Sequence, residues 1–413
     1  MTRRIIFSGF LMAGGRGLNF ILLLVFAYYL PARDFGYFSL MVSVVTVGAV
    51  VAQFGGQNFF LKETPILKDE GDYDRIFKLV SIFFSLSLIM SFLYIVIFGA
   101  VDKKDLFEEI SPVVIFFSIV CLCFLLILVS VVRCLVDVYV AQTIEMIVRP
   151  ALALAVFLML MIFFGGGLDA AVNAYVSSLI FCLLLALATF LFFVIKGRNN
   201  SDKSEIGTKP FLIVAAPIYF LAIARLLTGE LSPLVISGYL PVEDVGVFRF
   251  FMQLSLIVAF PLAVLNYYMA PKLSLLASKK KNEEIWRMMR LASVYGGAVA
   301  LSVFAVSAFF LAANYGSYIP SHFSSSYQVY LVVGLSQVIN VFFGPVGLLL
   351  VMSGHAWGSF FAVIVAGVVN IVIIVACVPL FGLIAAALAM LISTILWNGI
   401  MYFLSIKMMG VRE

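Results

Sequence analysis

Apolar residues fill the chain in long runs, and polar residues gather in short patches between them. Twelve runs are long enough to cross a bilayer, at about 20 residues each. In the first half they cover Ile5–Leu30, Tyr37–Leu61, Phe77–Ala100, Pro112–Leu135, Tyr139–Phe164 and Leu168–Ile195. In the second they cover Phe211–Leu240, Gly246–Ala270, Met288–Ala312, Tyr327–Met352, Trp357–Val378 and Gly382–Ile406. The pattern predicts an all-α integral membrane protein with about twelve transmembrane helices. The short loops leave no room for a soluble domain.

The pattern also repeats. YLPARDFGYF, Tyr29 to Phe38, returns 210 residues later as YLPVEDVGVF, Tyr239 to Phe248, with six of ten positions alike. In each copy an apolar run ends at Leu-Pro and another begins after Gly. Proline stops a helix because it lacks the donor for the next hydrogen bond, so Pro31 and Pro241 mark stops. Asp34 and Asp244 are expected to cap the helices that follow. GLDAAVNA, Gly167 to Ala174, resembles GLIAAALA, Gly382 to Ala389, at an offset of 215. Two matches in one order at nearly one offset predict a duplicated protein. The expected organisation is two six-helix lobes, 1–196 and 211–413, joined by a polar linker at 197–210 and related by a pseudo-twofold axis around a central cavity. Six spans per lobe puts both lobes into the membrane from the same side.

Charge sets the orientation. With the N-terminus cytoplasmic, nineteen of the 26 Lys and Arg residues fall on that side or its helix ends. Only Arg33, Lys103, Lys104 and Arg249 fall on the far side, and Arg16, Arg149 and Arg225 lie within spans. That bias predicts two cytoplasmic termini. Composition agrees with a membrane protein: 64% of residues are hydrophobic and 11% charged. A soluble domain cannot bury that much apolar surface. Cys121, Cys123, Cys134, Cys182 and Cys377 all lie in apolar runs and read as buried small residues. Arg3 and Arg4 before an apolar stretch imitate a signal peptide, but the stretch runs to Leu30 and reads as a retained first span.

Charges inside a bilayer are costly, so those within spans carry the functional reading. Arg16 lies eleven residues into the first run, about 16 Å deep at ~1.5 Å per residue. Arg225 lies in the seventh run, which corresponds to the first. Arg16 precedes Pro31 by 15 residues and Arg225 precedes Pro241 by 16. Either the two arginines line a cationic cavity, or they bond backbone carbonyls where glycines such as Gly14, Gly15 and Gly17 break the helix. Arg149 has Glu145 one turn before it, and the pair can neutralise itself at i and i+4. Arg133 and Asp137 share that spacing. Arg249 is placed near the outer mouth. Glu230 is an isolated acid in the seventh run and the candidate for proton or sodium coupling.

Other polar residues fit both roles. Amides such as Asn19, Gln53, Gln337, Asn340, Asn370 and Asn398 serve as glue between helices. Tyr28, Tyr29, Tyr267 and Tyr268 suit either sugar stacking or an interfacial belt. Pro150, Pro217, Pro261 and Pro345 are expected to kink their spans. There is no GxxxxGK[ST] loop for nucleotide hydrolysis, and His322 and His355 lack zinc spacing. No cofactor, metal site or nucleic-acid partner is expected.

The stretch Ser353 to Ser393 resembles the C-terminal signature of polysaccharide exporters in the multidrug/oligosaccharidyl-lipid/polysaccharide exporter superfamily. There a Ser-Gly-His/Asn turn precedes a span, as Ser353, Gly354 and His355 do here. An Asn sits mid-span, as Asn370 does. A Pro-x-Phe-Gly-x-x-Gly-Ala-Ala turn follows, seen here as Pro379, Phe381, Gly382, Ala385 and Ala386, with Ala385 replacing the second glycine. The turn at Pro31 is also similar to theirs. The nearest branch is the Wzx-type O-antigen flippases. The resemblance implies a two-lobed transporter, not an enzyme, in a bacterial inner membrane. It would move a polyprenyl-diphosphate-linked oligosaccharide to the outer leaflet by alternating access, with membrane lipid and polysaccharide polymerase machinery as partners. Arg16, Arg225, Arg149 and Arg249 would bind the substrate, because a cationic cavity suits a diphosphate and repels a cationic drug. A drug/cation antiporter and a membrane glycosyltransferase or polymerase are the alternatives.

Overall fold

A computed structural model describes residues 2–101, 106–198, 211–313, 323 and 326–409. Every regular element among them is helical. Much of the linker and of the loop before the tenth run lies outside the described residues. The chain divides into two compact units, Met1–Ile223 and Ala224–Glu413, so the division falls inside the seventh apolar run.

Unit 1 contains α1 (Thr2–Tyr29), α2 (Ala32–Ala52), α3 (Gly56–Asp69), α4 (Tyr73–Val101), α5 (Pro112–Leu135), α6 (Val138–Phe164) and α7 (Leu168–Arg198). The seventh run begins α8 (Phe211–Thr228) and continues into α9 (Leu231–Ile236). Unit 2 then adds α10 (Val242–Val258), α11 (Phe260–Ser278), α12 (Asn282–Ala313), α13 (Tyr327–Phe343), α14 (Val346–Met352), α15 (Ala356–Phe381) and α16 (Leu383–Met409). Among the described residues nine helices are long and apolar enough to cross a membrane, or eleven if each bent pair is one span. The six runs of the first half are all among them. The bent pairs are α10 with α11, at 52°, and α13 with α14, at 44°. Pro261 opens α11, and Gly344 and Pro345 separate α13 from α14. These are the breaks expected of proline in a span.

Each unit wraps its helices round one that is apolar on every side. In unit 1 this is α5, which packs on α2, α3, α4 and α7. Ile115, Ile119, Cys123, Leu125, Ile127 and Leu128 are all buried along it. A helix without a polar face belongs in the middle. In unit 2 α13 takes that place against α10, α12 and α16. The remaining pairs also correspond: α2 with α4 and α6 with α7 in unit 1, α10 with α12 and α15 with α16 in unit 2.

The repeated sequences fold alike. Pro31 has φ −53° and ψ 151°, and Pro241 has φ −53° and ψ 153°. Each proline, not the aspartate, stands at the N-cap. Asp34 and Asp244 fall in the first helical turn, where their charge meets the positive end of the helix dipole. The expected aspartate caps are corrected to this position, because proline's fixed φ already starts the helix at the next residue. In the second repeat Gly167 and Gly382 both adopt positive φ, +102° and +64°, immediately before α7 and α16. Ala170, Ala171 and Ala174 are buried in one copy, and Ala385, Ala386 and Ala389 in the other.

Candidate functional site

The sequence leaves two possibilities for Arg16, and α1 decides against a broken helix. It runs unbroken from Thr2 to Tyr29. Its glycines serve close approach instead. A Cβ on Gly15 would stand 2.6 Å from both the Cβ and the carbonyl oxygen of Met146. Arg16, the next residue, is exposed at the surface of unit 1. Three residues on, Asn19 donates to the Gly15 carbonyl at 3.0 Å.

Met146 lies in an irregular stretch of α6. Residues Thr143–Val148 form a π-helical turn. The cause is the next residue but one: Pro150 has no N–H for the Met146 carbonyl, which a regular helix would pair at i and i+4. The backbone N–H of Arg149 instead donates to Ile144, five residues back. The widened turn also changes the expected ion pairs. Glu145 does not serve Arg149. It lies 3.7 Å from Arg133 on α5. The Arg149 guanidinium sits over the ring of Tyr175 on α7, 5.9 Å from its centroid. Asp137, expected beside Arg133, accepts from the Tyr139 backbone N–H at 2.9 Å and caps the start of α6. The i, i+4 pairing fails in both cases because the helix is not regular between the partners.

Unit 2 departs from this arrangement. Its first helix stops at Thr228, turns at Gly229 and Glu230, and resumes as α9. Arg225 is exposed in the last turn of α8, and Thr228 donates to its carbonyl at 3.1 Å. Among the described residues its guanidinium makes no hydrogen bond or ion pair. Leu227 packs so close to α15 that a Cβ on Gly367 would lie 2.4 Å from the leucine Cβ. Glu230, read from sequence as isolated, accepts from Arg249 on α10 at 2.6 Å. Arg249, expected at the outer mouth, is 7% exposed. Its charge is answered inside its own unit.

The amides act between helices as expected. Ser232 on α9 donates to Asn370 on α15 at 3.0 Å, and Asn370 donates to Ser393 on α16 at 3.3 Å. Asn398 on α16 donates to Asn340 on α13 at 3.0 Å. The serines of the first chain were not singled out by sequence, since serine is common and carries no spacing signal. Tyr28, Tyr29, Tyr239 and Tyr268 are exposed. Tyr268 also accepts from Lys272 at 2.5 Å, beneath a cation–π contact.

The chemistry of these groups is lopsided. Both carboxylates examined within spans, Glu145 and Glu230, meet an arginine. Arg16 and Arg225 present theirs at the surface of their own units. Arg149 lies half-buried over an aromatic ring, which answers a cation only in part. The arrangement favours an anion over a cation wherever these side chains face a ligand.

A family model described as polysaccharide biosynthesis protein matches residues 2–274. No curated protein matches the chain. Several solved structures share its fold. An inward-facing multidrug-resistance MATE family transporter of the MOP superfamily aligns with TM-score 0.68 and 12% identity, covering 92% of this chain and 93% of that one. The lipid II flippase MurJ, in an inward closed conformation, aligns with TM-score 0.68 and 13% identity over 96% and 87% of the two chains. A MOP-superfamily transporter from Pyrococcus furiosus, whose description suggests a binding pocket of reverse polarity, aligns with TM-score 0.66 and 13% identity over 98% and 95%. The fold is therefore that of multi-pass membrane transporters and flippases of this superfamily.

Proposed function

The chain belongs to the polysaccharide biosynthesis protein family, and from that premise we propose that it is a flippase for a polyprenyl-diphosphate-linked oligosaccharide. The cargo is an O-antigen or related surface polysaccharide unit, moved from the cytoplasmic to the outer leaflet of a bacterial inner membrane. Two six-helix lobes with cytoplasmic termini would alternate access to a central cavity. Arg16 and Arg225, one from each lobe, would meet the diphosphate there. A guanidinium presents a planar fork that holds phosphate oxygens bidentately.

One observation carries this reading: Glu145 and Glu230 are each engaged by an arginine, while Arg16 and Arg225 are exposed. A cation antiporter would call for the reverse, an acid open to the ligand. The driving force need not involve an ion. An inside-negative potential favours outward movement of an anion by about 2.3 kcal/mol per charge per 100 mV. Glu230 is the acid placed for any proton or sodium coupling, and Arg249 would have to release it first.

The test uses a bacterium that makes such a glycan and depends on this protein. Depletion should strand the lipid-linked unit in the inner leaflet, beyond the reach of an impermeant glycan-binding lectin on spheroplasts. Re-expression should restore labelling. Labelling that persists through depletion would sink the reading.

A further inference from the structure

The π-helical turn does more than bend α6. In a regular helix Glu145 and Arg149 would lie on one face, close enough to neutralise each other. Here one extra residue in the turn rotates Arg149 away from Glu145. Two consequences are visible in unit 1. Glu145 is taken up by Arg133 on α5, at 3.7 Å. Arg149 is left over the face of Tyr175, without a carboxylate. The same turn is the place where α1 comes closest, because Gly15 has no side chain to hold Met146 off. Arg16 therefore stands next to the contact, on the helix that packs against the turn bearing Arg149.

We propose that the π turn Thr143–Val148 is a specificity device: it separates Glu145 from Arg149, so that Arg149, seated on Tyr175, joins Arg16 in binding the diphosphate of the lipid-linked substrate. Within this scheme Arg149 touches the substrate. Arg133 is a positioning residue that keeps the competing carboxylate away, and Tyr175 is one that supports the guanidinium. The aromatic face suits this role. It attracts the cation yet leaves the N–H fork free for phosphate oxygens, which a carboxylate would occupy. Proline at position 150 makes the device permanent, since no N–H is available to restore the regular register. The inference rests on the reading of the protein as a carrier of a diphosphate lipid.

The experiment measures binding of farnesyl diphosphate, with farnesol as neutral control, to the full protein in phosphatidylcholine nanodiscs. Wild type should prefer the diphosphate. Arg149→Ala should weaken diphosphate binding about tenfold or more, the scale of a lost charge-assisted hydrogen bond, and leave farnesol unchanged. Arg133→Leu should weaken it similarly, because Glu145 is then free to take Arg149. Adding Glu145→Gln to Arg133→Leu should restore it. Tyr175→Phe keeps the ring and should bind as wild type, whereas Tyr175→Leu should bind less tightly. Membrane abundance of each variant separates these effects from misfolding. Arg149→Ala that binds as wild type overturns the proposal. So does an Arg133→Leu defect that Glu145→Gln fails to relieve in a well-folded protein. Competition by phosphatidylglycerol as strong as that by pyrophosphate would reassign the site to a phospholipid headgroup and overturn the diphosphate assignment. If wild type itself does not distinguish farnesyl diphosphate from farnesol, it is the flippase reading that falls.

Discussion

The two units keep the same outer turns and differ in the helix that carries the arginine. Pro31 and Pro241 agree within 2° in ψ, and Gly167 and Gly382 both take positive φ before a helix with buried alanines. Yet α1 is continuous through Arg16, while the corresponding run of unit 2 breaks three residues after Arg225. In unit 1 glycine is used for contact with the π turn. In unit 2 glycine is used for the break itself, and the acid exposed by that break is tied to Arg249. Packing preserves the turns, because a change there disturbs several buried neighbours at once. The arginine-bearing helices carry less buried surface and have been free to diverge.

The comparison divides the arginines into two kinds, and the sharpest way to break it is to attack Arg249. It is held inside unit 2 by Glu230, so Glu230→Ala leaves a buried charge without its partner. That should cost about 3–5 kcal/mol, seen as a marked fall in the thermal unfolding midpoint in detergent. Replacing both residues with leucine should recover most of the loss. Arg225→Ala, on the exposed residue, should leave the midpoint nearly unchanged. Equal midpoints for Glu230→Ala and Arg225→Ala would erase the distinction.

A smaller effect separates the two glycines. Gly15→Ala places a methyl against the Met146 backbone at 2.6 Å. Backbone cannot move aside as a side-chain tip can, so about 1–3 kcal/mol of overpacking is expected. Gly229→Ala meets nothing nearer than the Arg225 carbonyl oxygen at 3.5 Å and should be tolerated. Unfolding midpoints of the two variants, measured side by side, check this. Should Gly229→Ala be the worse of the two, the contrast between contact and break is wrong.

The smallest effect tests sameness. Gly167→Ala and Gly382→Ala each force a side chain into the left-handed region, at about 1 kcal/mol. Neither added Cβ meets an atom closer than 3.9 Å. The two penalties should therefore match, and a large difference would show that the repeats are not under the same constraint.

Much of this architecture was legible in the residues. Hydropathy located the spans because each must present apolar surface along its whole length. The repeated Leu-Pro turn was legible because proline allows few backbone shapes. The ion pairs were not. Arg133 with Glu145 and Glu230 with Arg249 join different helices, and sequence spacing speaks only for neighbours on one helix. The π turn was hidden for a related reason. A single-residue change of register leaves hydropathy untouched, and only Pro150 hinted at it. The break at Gly229 was masked by leucines and isoleucines on both sides that read as one run. Arg16 and Arg225 were found by depth alone, and their exposure agrees with a place at a water-filled or lipid-facing surface of each unit.

The central claim is that exposed intramembrane arginines carry a diphosphate lipid. Its most direct test is transport of a fluorescent polyprenyl-diphosphate oligosaccharide by the purified protein in liposomes, followed by quenching from outside. Two charge-assisted, bidentate contacts are at stake, each about 1.5–3 kcal/mol. Arg16→Ala and Arg225→Ala should each slow transport by about tenfold to a hundredfold at unchanged protein content. Arg→Lys should recover part of the rate, and Arg→Glu should abolish it. Wild-type rates in both alanine variants would contradict the account and send the search for the substrate site elsewhere.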